Sequence, residues 1–236
     1  MKKTTLLLML MGIACVGFAQ PTLIPRLGLT LSNTSAEEEA GLNKKMTVGF
    51  SLGVGLEFNV HPMVSIQPEL SYVQKGFGLE FGQAIPDPDL PFTLSVDNQT
   101  HINYLELPVL VKFYPNPETK SVYLLGGPSL AFGLGGKNKA SISTSALGQS
   151  FNVTVSGDVK FGDPPASYNP LEDTEIYFDN RIDFGLQGGL GVLIAKKIVL
   201  EARYNLGFSN LVENENSKNR VIHFSVGVPL NAFAKK

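Results

Sequence analysis

Strict alternation of apolar and polar residues limits this chain more than any other feature. Successive side chains of an extended strand point to opposite faces, so a period of two gives one apolar face and one polar face. The clearest case runs from Arg181 to Ile194. Ile182, Phe184, Leu186, Leu190, Val192 and Ile194 share one face, and Arg181, Asp183, Gln187 and several glycines share the other. In the next segment Ile198, Leu200, Ala202, Tyr204, Leu206 and Phe208 oppose Glu201, Arg203, Asn205 and Ser209. The last has Ile222, Phe224, Val226, Val228 and Leu230 against His223, Ser225 and Gly227. Equivalent runs begin near Val48, Val64 and Leu105, and weaker ones cover 23–32 and 121–135, so about eight strands are expected. Each is long enough for a tilted strand to cross the hydrocarbon of a bilayer.

The connections add a second constraint. Those after the second, fourth and sixth strands are short, at 59–62, 115–120 and Lys196-Lys197. Those after the first, third, fifth and seventh are long, at 33–45, 81–100, 137–180 and 212–219. A chain that runs up and down through a membrane from one side puts every odd connection outside and every even one inside. Short periplasmic turns and long external loops are the habit of outer-membrane barrels. The fold class expected is therefore all-β: an eight-stranded antiparallel up-and-down transmembrane β-barrel with long extracellular loops. The longest connection holds its own alternation, Phe151, Val153 and Val155 against Asn152, Thr154 and Ser156. It reads as a hairpin standing beyond the membrane, followed by a turn at Asp163-Pro164-Pro165.

The beginning of the chain fits export. Lys2 and Lys3 precede a short apolar run, and Gly17-Phe18-Ala19 offers small residues for signal peptidase. Residues 1–19 read as a signal peptide and 20–236 as the barrel domain. The single cysteine, Cys15, lies inside the signal, and Gly12-Ile13-Ala14-Cys15 is a poor lipoprotein box because Gly12 stands where leucine is usual. The mature chain then has no thiol chemistry and no disulfide. The formal net charge of −2 comes with no basic stripe, so a nucleic-acid partner is not expected.

The polar faces carry most of the charges found within strands: Arg26, Lys75, Lys112, Arg181 and Arg203, with Glu57, Glu69, Glu106, Asp183 and Glu201. So many charges turned into an apolar core would be ruinous to desolvate. An eight-stranded barrel is just wide enough for side chains to fill it. A lumen plugged by an ion-pair network is expected, built from Arg26, Glu57, Glu69, Glu106, Lys112, Arg181, Asp183, Glu201 and Arg203. The aliphatic and aromatic face then meets outer-membrane lipid, with Phe50, Tyr72, Phe132, Phe184 and Phe208 toward the long loops and Phe58 and Phe113 toward the short turns.

The phrases SIQPELSYVQKGFG (65–78), INYLELPVLVKFY (102–114), YLLGGPSLAFGL (123–134), RIDFGLQGGLGV (181–192) and LEARYNLGFSNL (200–211) resemble the Bacteroidetes outer-membrane β-barrel family that includes the PorT-like proteins. The first strand departs, with Pro25-Arg26 where such barrels often begin with a glycine-rich alternation. The resemblance implies the fold and a Gram-negative outer membrane. It implies little about activity, because this fold carries many roles.

Three functions compete. The favoured one is a non-catalytic barrel that presents its outer loops to a surface ligand or protein partner. The second is an outer-membrane enzyme acting on lipid or lipopolysaccharide, for which His223, Ser225 and Glu201 supply the parts of a nucleophilic site. Two residues on one strand face lie roughly 7 Å apart, which is long for a hydrogen bond. The third is a soluble periplasmic barrel holding an apolar ligand, which would swap the two faces. No cofactor is expected. Three scattered histidines make no transition-metal site. The acidic groups Glu37-Glu38-Glu39 and Asp87-Pro88-Asp89 have the oxygen ligands calcium prefers, but a solvated loop is the simpler account and the one favoured. Amino-terminal sequencing of the exported protein is expected to begin at Gln20; a chain that still begins at Met1 in the membrane fraction would overturn the signal reading.

Overall fold

The computed structural model describes residues 21–36, 42–85, 92–146, 149–169, 172–213 and 216–230. The expected signal with Cys15, and the acidic groups Glu37-Glu38-Glu39 and Asp87-Pro88-Asp89, lie outside these residues. The strands are β1 (Thr22–Thr34), β2 (Leu42–Lys45), β3 (Thr47–His61), β4 (Val64–Ile85), β5 (Phe92–Phe113) and β6 (Val122–Ala146). They continue as β7 (Gln149–Phe161), β8 (Ile176–Phe178), β9 (Ile182–Ile194), β10 (Ile198–Asn210) and β11 (Lys218–Gly227). Among the described residues no helix is long and apolar enough to cross a membrane.

Eight of the strands close a ring in the order β1-β3-β4-β5-β6-β9-β10-β11 and back to β1. All of these pairings are antiparallel. The closing pair runs from Arg26↔Gly227 to Thr34↔Asn219. β2, β7 and β8 lie outside the ring and widen the sheet at its long-loop end.

The ring wall carries exposed apolar residues on its outer face. Leu27, Leu29, Phe50, Leu52, Leu107, Val109, Leu124, Leu186, Leu190 and Phe224 are all exposed large hydrophobics. Their inward neighbours in sequence, among them Arg26, Glu69, Glu106, Gln187 and Glu201, are buried. Such inside-out burial suits a barrel whose surroundings are lipid.

The structure corrects the sequence reading at the long-loop end. Residues 81–100 read as a loop, yet β4 continues to Ile85 and β5 begins at Phe92. β4, β5 and β6 span 22, 22 and 25 residues, roughly twice the 9–11 that a tilted crossing needs. The surplus forms a sheet that projects from the barrel mouth and is continued by β7. The alternation persists there, but with its polarity inverted. Phe81, Val96, Ile142 and Val153 form one cross-strand row on the face continuous with the lumen. The next row, Glu80, Asp97, Ser141 and Thr154, lies on the opposite face. Lys45 joins Asp97 at 3.1 Å there, and the Ser141 and Thr154 hydroxyls are 3.2 Å apart. Polar residues on the outside of this region disguise the strands as loop.

A bulge explains why β6 alternates weakly in sequence. Tyr104 pairs with Gly133 and Asn103 with Gly135, so Leu134 is extra and the inward positions change parity. Gly135 adopts φ 126°, which favours glycine.

The β9–β10 turn also differs from expectation. Hairpin counting about a Lys196-Lys197 turn gives partner sums near 393 and places Glu201 opposite Val192. The register is Ile198↔Ile194 and Glu201↔Gly191, sums of 392. Residues directly opposite in an antiparallel pair share a face, so an inward Glu201 cannot stand opposite an outward Val192. The loop therefore needs three residues, and Ala195 and Lys196 take positive φ to form it.

Accessibility in two media gives a direct test. Leu190 is 52% exposed on the barrel wall, and Val153 is 57% exposed on the projecting sheet. Leu190→Arg is expected to cost about 2–4 kcal/mol of folding stability, as cations do at the bilayer midplane. Val153→Arg is expected to stay within about 0.5 kcal/mol, as most solvent-exposed changes do. Equal losses in urea titrations of the barrel folded in lipid vesicles would show that both positions lie in one medium.

Candidate functional site

The inward residues of the ring gather into a buried polar cluster. Arg26 arrives from β1, Glu57 from β3, Glu69 and Lys75 from β4, Glu106 and Lys112 from β5, Asp183 from β9, and Glu201 and Arg203 from β10. All are buried. No two ion-paired residues here lie on directly hydrogen-bonded strands except Lys75 with Glu106, and Arg203 with Glu201 shares one strand. The other pairs reach across the barrel, which requires the wall to be closed.

At the centre, the Arg203 guanidinium donates in a fork to both Glu69 oxygens at 2.7 Å. Its Nε donates to Glu201 Oε2 at 2.7 Å. Such planar two-point pairing is the geometry arginine makes best. Arg26 Nη1 stands 2.6 Å from Glu201 and Nε 3.2 Å from Glu69, in contact as ions but outside hydrogen-bond geometry. Its Nη2 donates to Gln67 Oε1 at 3.3 Å.

Toward the short turns, Lys112 bridges Glu57 at 3.0 Å and Glu201 at 3.4 Å. The Tyr114 hydroxyl donates to Glu57 at 2.5 Å, and the Tyr123 hydroxyl donates to Glu201. Lys112 also lies 4.4 Å from the centre of the Tyr123 ring. Gly191 stands opposite Tyr123, and a side chain there would run into the ring. Toward the long loops, Lys75 bridges Glu106 at 2.9 Å and Asp183 at 3.0 Å, with Tyr104 beneath its ammonium at 4.9 Å. Gln187 and Asn205 donate to Glu106 at 3.0 and 2.9 Å, and Asn219 donates to Asp183 at 2.9 Å.

Two apolar clusters flank the charges. Leu110, Tyr114, Tyr123, Leu125 and Val199 pack together at the short-turn end. At the long-loop end Ile102, Tyr104 and Ala131 meet Val159, Phe178 and Leu211, with Phe161 and Ile176 against them. These last residues come from β7, β8 and the β10–β11 connection, so chain from beyond the ring folds back over the barrel mouth. Gly133 makes room for the Phe161 ring, since a Cβ there would collide with it.

Arg181 departs from the expected network. It precedes β9, is exposed, and its guanidinium lies over Phe132 at 5.2 Å and Phe161 at 5.5 Å. Its parity matches Asp183, but it lies one residue beyond the last register pair, Phe132↔Ile182, where its guanidinium meets the two rings instead of a carboxylate. Lys75 takes the place beside Asp183. Sequence reasoning placed Lys75 on the polar face without including it in the network. The same holds for Gln67 and Asn205, whereas Tyr114, Tyr123 and Asn219 carry no alternation signal that marks them as lumen residues. A tyrosine facing a glycine, as Tyr123 faces Gly191, is the signal that was available for one of them.

The nucleophilic constellation does not assemble. Glu201 stands beside Ser225 and Arg203 beside His223 in the register. The Glu201 carboxylate, however, is engaged by Arg203, Arg26, Lys112 and Tyr123. Among the described residues, His223 Nε2 has no hydrogen-bond partner. The space lined by His223, Ser225, Arg203 and Glu106 measures about 30 Å³, room for one water and too little for a lipid headgroup. No group of His, Cys, Asp and Glu placed to hold a metal is found among the described residues.

Truncating the central arginine leaves Glu69 and Glu201 buried without it, at a cost of about 3–5 kcal/mol. Arg203→Ala is expected to lower the temperature at which the folded band converts to the unfolded band in heat-modifiable electrophoresis. Adding Glu69→Gln is expected to recover part of the loss. An Arg203→Ala barrel as heat-resistant as the parent would refute the coupling.

The sequence matches the profile of a family described as Outer membrane protein beta-barrel domain over residues 18–213. The match ends before β11, the strand that closes the ring. No curated protein matches the sequence. Among solved structures, Ail, the attachment invasion locus protein of Yersinia pestis, is 15% identical, with 89% of this chain and 99% of that one covered at a TM-score of 0.42. Neisserial surface protein A is 13% identical, with 87% and 96% covered at a TM-score of 0.41. OprG from Pseudomonas aeruginosa is 13% identical, with 90% and 95% covered at a TM-score of 0.37.

Proposed function

Because this chain belongs to the outer membrane protein β-barrel domain family and is an integral protein of the outer membrane, we propose that it works without catalysis, as a plugged anchor that holds a projecting sheet outside the cell for a surface ligand or protein partner. The observation that carries the reading is the division of the interior. A band of ion pairs spans the lumen between two apolar clusters, and the outer cluster includes chain folded back from the exterior. A solute crossing the barrel would have to break buried ion pairs one after another, each strongly coupled in a partly desolvated interior. The longest strands of the ring lie side by side and project together, which suits display more than passage.

The enzymatic alternative has no assembled nucleophile to support it. The soluble alternative would require the exposed aliphatic wall to be a core. On the quoted phrases we further read the chain as PorT-like and of Bacteroidetes type, and residues 1–19 as its removed signal.

Two measurements test the reading. The purified barrel in planar bilayers is expected to give no unitary conductance steps; stable steps would defeat the plugged lumen. In whole cells, a cysteine placed at Ser143 is expected to react with an impermeant thiol reagent, and one placed at Lys196 is expected to stay unlabelled until the outer membrane is opened. The reverse pattern would defeat external display.

A further inference from the structure

We propose that the free edge of β7 is a docking strand for an extended peptide of a partner protein, with apolar residues at alternate positions and a lysine or arginine at the end that meets Glu172 and Asp173. This rests on the reading that the projecting sheet faces the exterior.

The backbone supplies the first part of the argument. β6 covers one edge of β7 from Gly136↔Val159 to Ala146↔Gln149. The other edge is paired only at Val159, Lys160 and Phe161, by β8. Along Gln149–Ser156 one edge is therefore unpaired among the described residues. Natural edge strands are usually blunted by charges, prolines or bulges. The stretch QSFNVTVSG, 149–157, has no charge and no proline, and its pairing with β6 is unbroken. Its side chains suit addition of a strand. Phe151, Val153 and Val155 are exposed on one face, Phe151 by 65%, and Asn152, Thr154 and Ser156 are exposed on the other. An added strand gains main-chain hydrogen bonds from the edge and specificity from alternate side chains. Its apolar residues would extend the row Phe81, Val96, Ile142 and Val153 by one strand.

The end of the edge supplies the charge. At Gly157 the segment 172–176 approaches so closely that any Cβ would collide with the Thr174 carbonyl. The approach forms a pocket of about 420 Å³ lined by Val155, Gly157, Tyr168, Glu172, Asp173 and Glu175. Glu175 is already satisfied. Lys160 donates to it at 2.6 Å and the Tyr177 hydroxyl at 2.8 Å, and these donors hold its carboxyl below the ordinary value. Asp173 accepts only the backbone N–H of Asn169, at 2.8 Å, and no lysine or arginine pairs with Glu172 or Asp173 among the described residues. The pocket thus presents two carboxylates without a cation where the open edge ends. A second copy would not supply one. Antiparallel pairing of β7 with its copy would bring Gln149 and Ser150 to this end, and neither is charged.

The test uses the full-length barrel folded in detergent and a fluorescein-labelled peptide, Lys-Lys-Val-Thr-Val-Thr-Val-Thr. An antiparallel strand brings this peptide's amino end to Gly157. Its counterpart carries Glu-Glu in place of Lys-Lys. By fluorescence anisotropy the lysine peptide is expected to bind at least about tenfold more tightly than the glutamate peptide. Glu172→Gln with Asp173→Asn is expected to remove that preference and retain binding. Val153→Lys, which puts a charge on the edge, is expected to abolish binding of both peptides, with heat-modifiability showing that the barrel is still folded. Failure of both peptides to bind, equal affinity for the two, or binding unchanged by Val153→Lys would overturn the proposal. Self-association that Val153→Lys removes, without peptide binding, would assign the edge to a second copy and overturn it equally. Display on the cell surface is read separately by cysteine labelling. A displayed barrel that binds no peptide defeats this inference alone, and a barrel that is not displayed defeats the reading beneath it.

Discussion

Backbone hydrogen bonding without water fixes this structure before any side chain does. In hydrocarbon an unpaired N–H or C=O has nothing to bond, so a sheet must leave no edge within the membrane. The pairing of β1 with β11 meets that demand. It is made between the first and last strands of the ring, so it exists only when the whole chain has been laid down. Closure also creates the interior. Arg26 on β1 reaches Glu201 on β10 and Glu69 on β4 because the wall between them curves shut. In an open sheet those residues would line one face in water, where surface pairs contribute little.

The ion cluster is better understood as a constraint than as a store of stability. Burying charges carries a desolvation cost that their attraction repays only with good geometry and further hydrogen bonds. Here the further bonds are present: Tyr123 and Tyr114 donate to the carboxylates, and Gln187, Asn205 and Asn219 complete others. The ion pairs also link six strands, β1, β3, β4, β5, β9 and β10, through a few shared carboxylates. A strand shifted by one residue would turn its charges toward lipid and its aliphatic residues into the lumen. The cluster therefore penalises wrong registers, as the charge on the inside and the apolar band on the outside must be satisfied together.

How far the sequence revealed this depends on what each signal measures. Alternation reports which residues share a face, so the barrel strands and the inward positions of Arg26, Glu69, Glu106, Asp183, Glu201 and Arg203 were legible. Alternation says nothing about which strand lies across the lumen, so the partners of Arg203 were not. It also fails where a strand ends. Arg181 keeps the right parity but sits one residue beyond the last register pair of β9 and turns onto Phe132. The Leu134 bulge hid half of β6 because one inserted residue exchanges the two faces. The outer halves of β4 and β5 resemble loop in sequence because polar residues there occupy the positions that apolar residues fill lower down.

That exchange of polarity locates the boundary of the lipid from two independent faces. On β4 the outward side passes from Tyr72 to Gln74, and the inward side from Lys75 to Phe77. On β5 the outward side passes from Leu105 to Asn103, and the inward side from Glu106 to Tyr104 and Ile102. Those pairs are neighbours in the register, Tyr72↔Leu105 and Gln74↔Asn103, so both faces change at one level. Below it the medium is lipid outside and charge inside. Above it the sheet behaves as one in water, with a polar outer face and an apolar inner face that must find cover. β8, Phe161 and Leu211 cover the lower rows of that face. The upper rows, through Ile142 and Val153, remain exposed. On the proposed reading, in which this sheet stands in water outside the cell, those open apolar rows are the surface left for a partner.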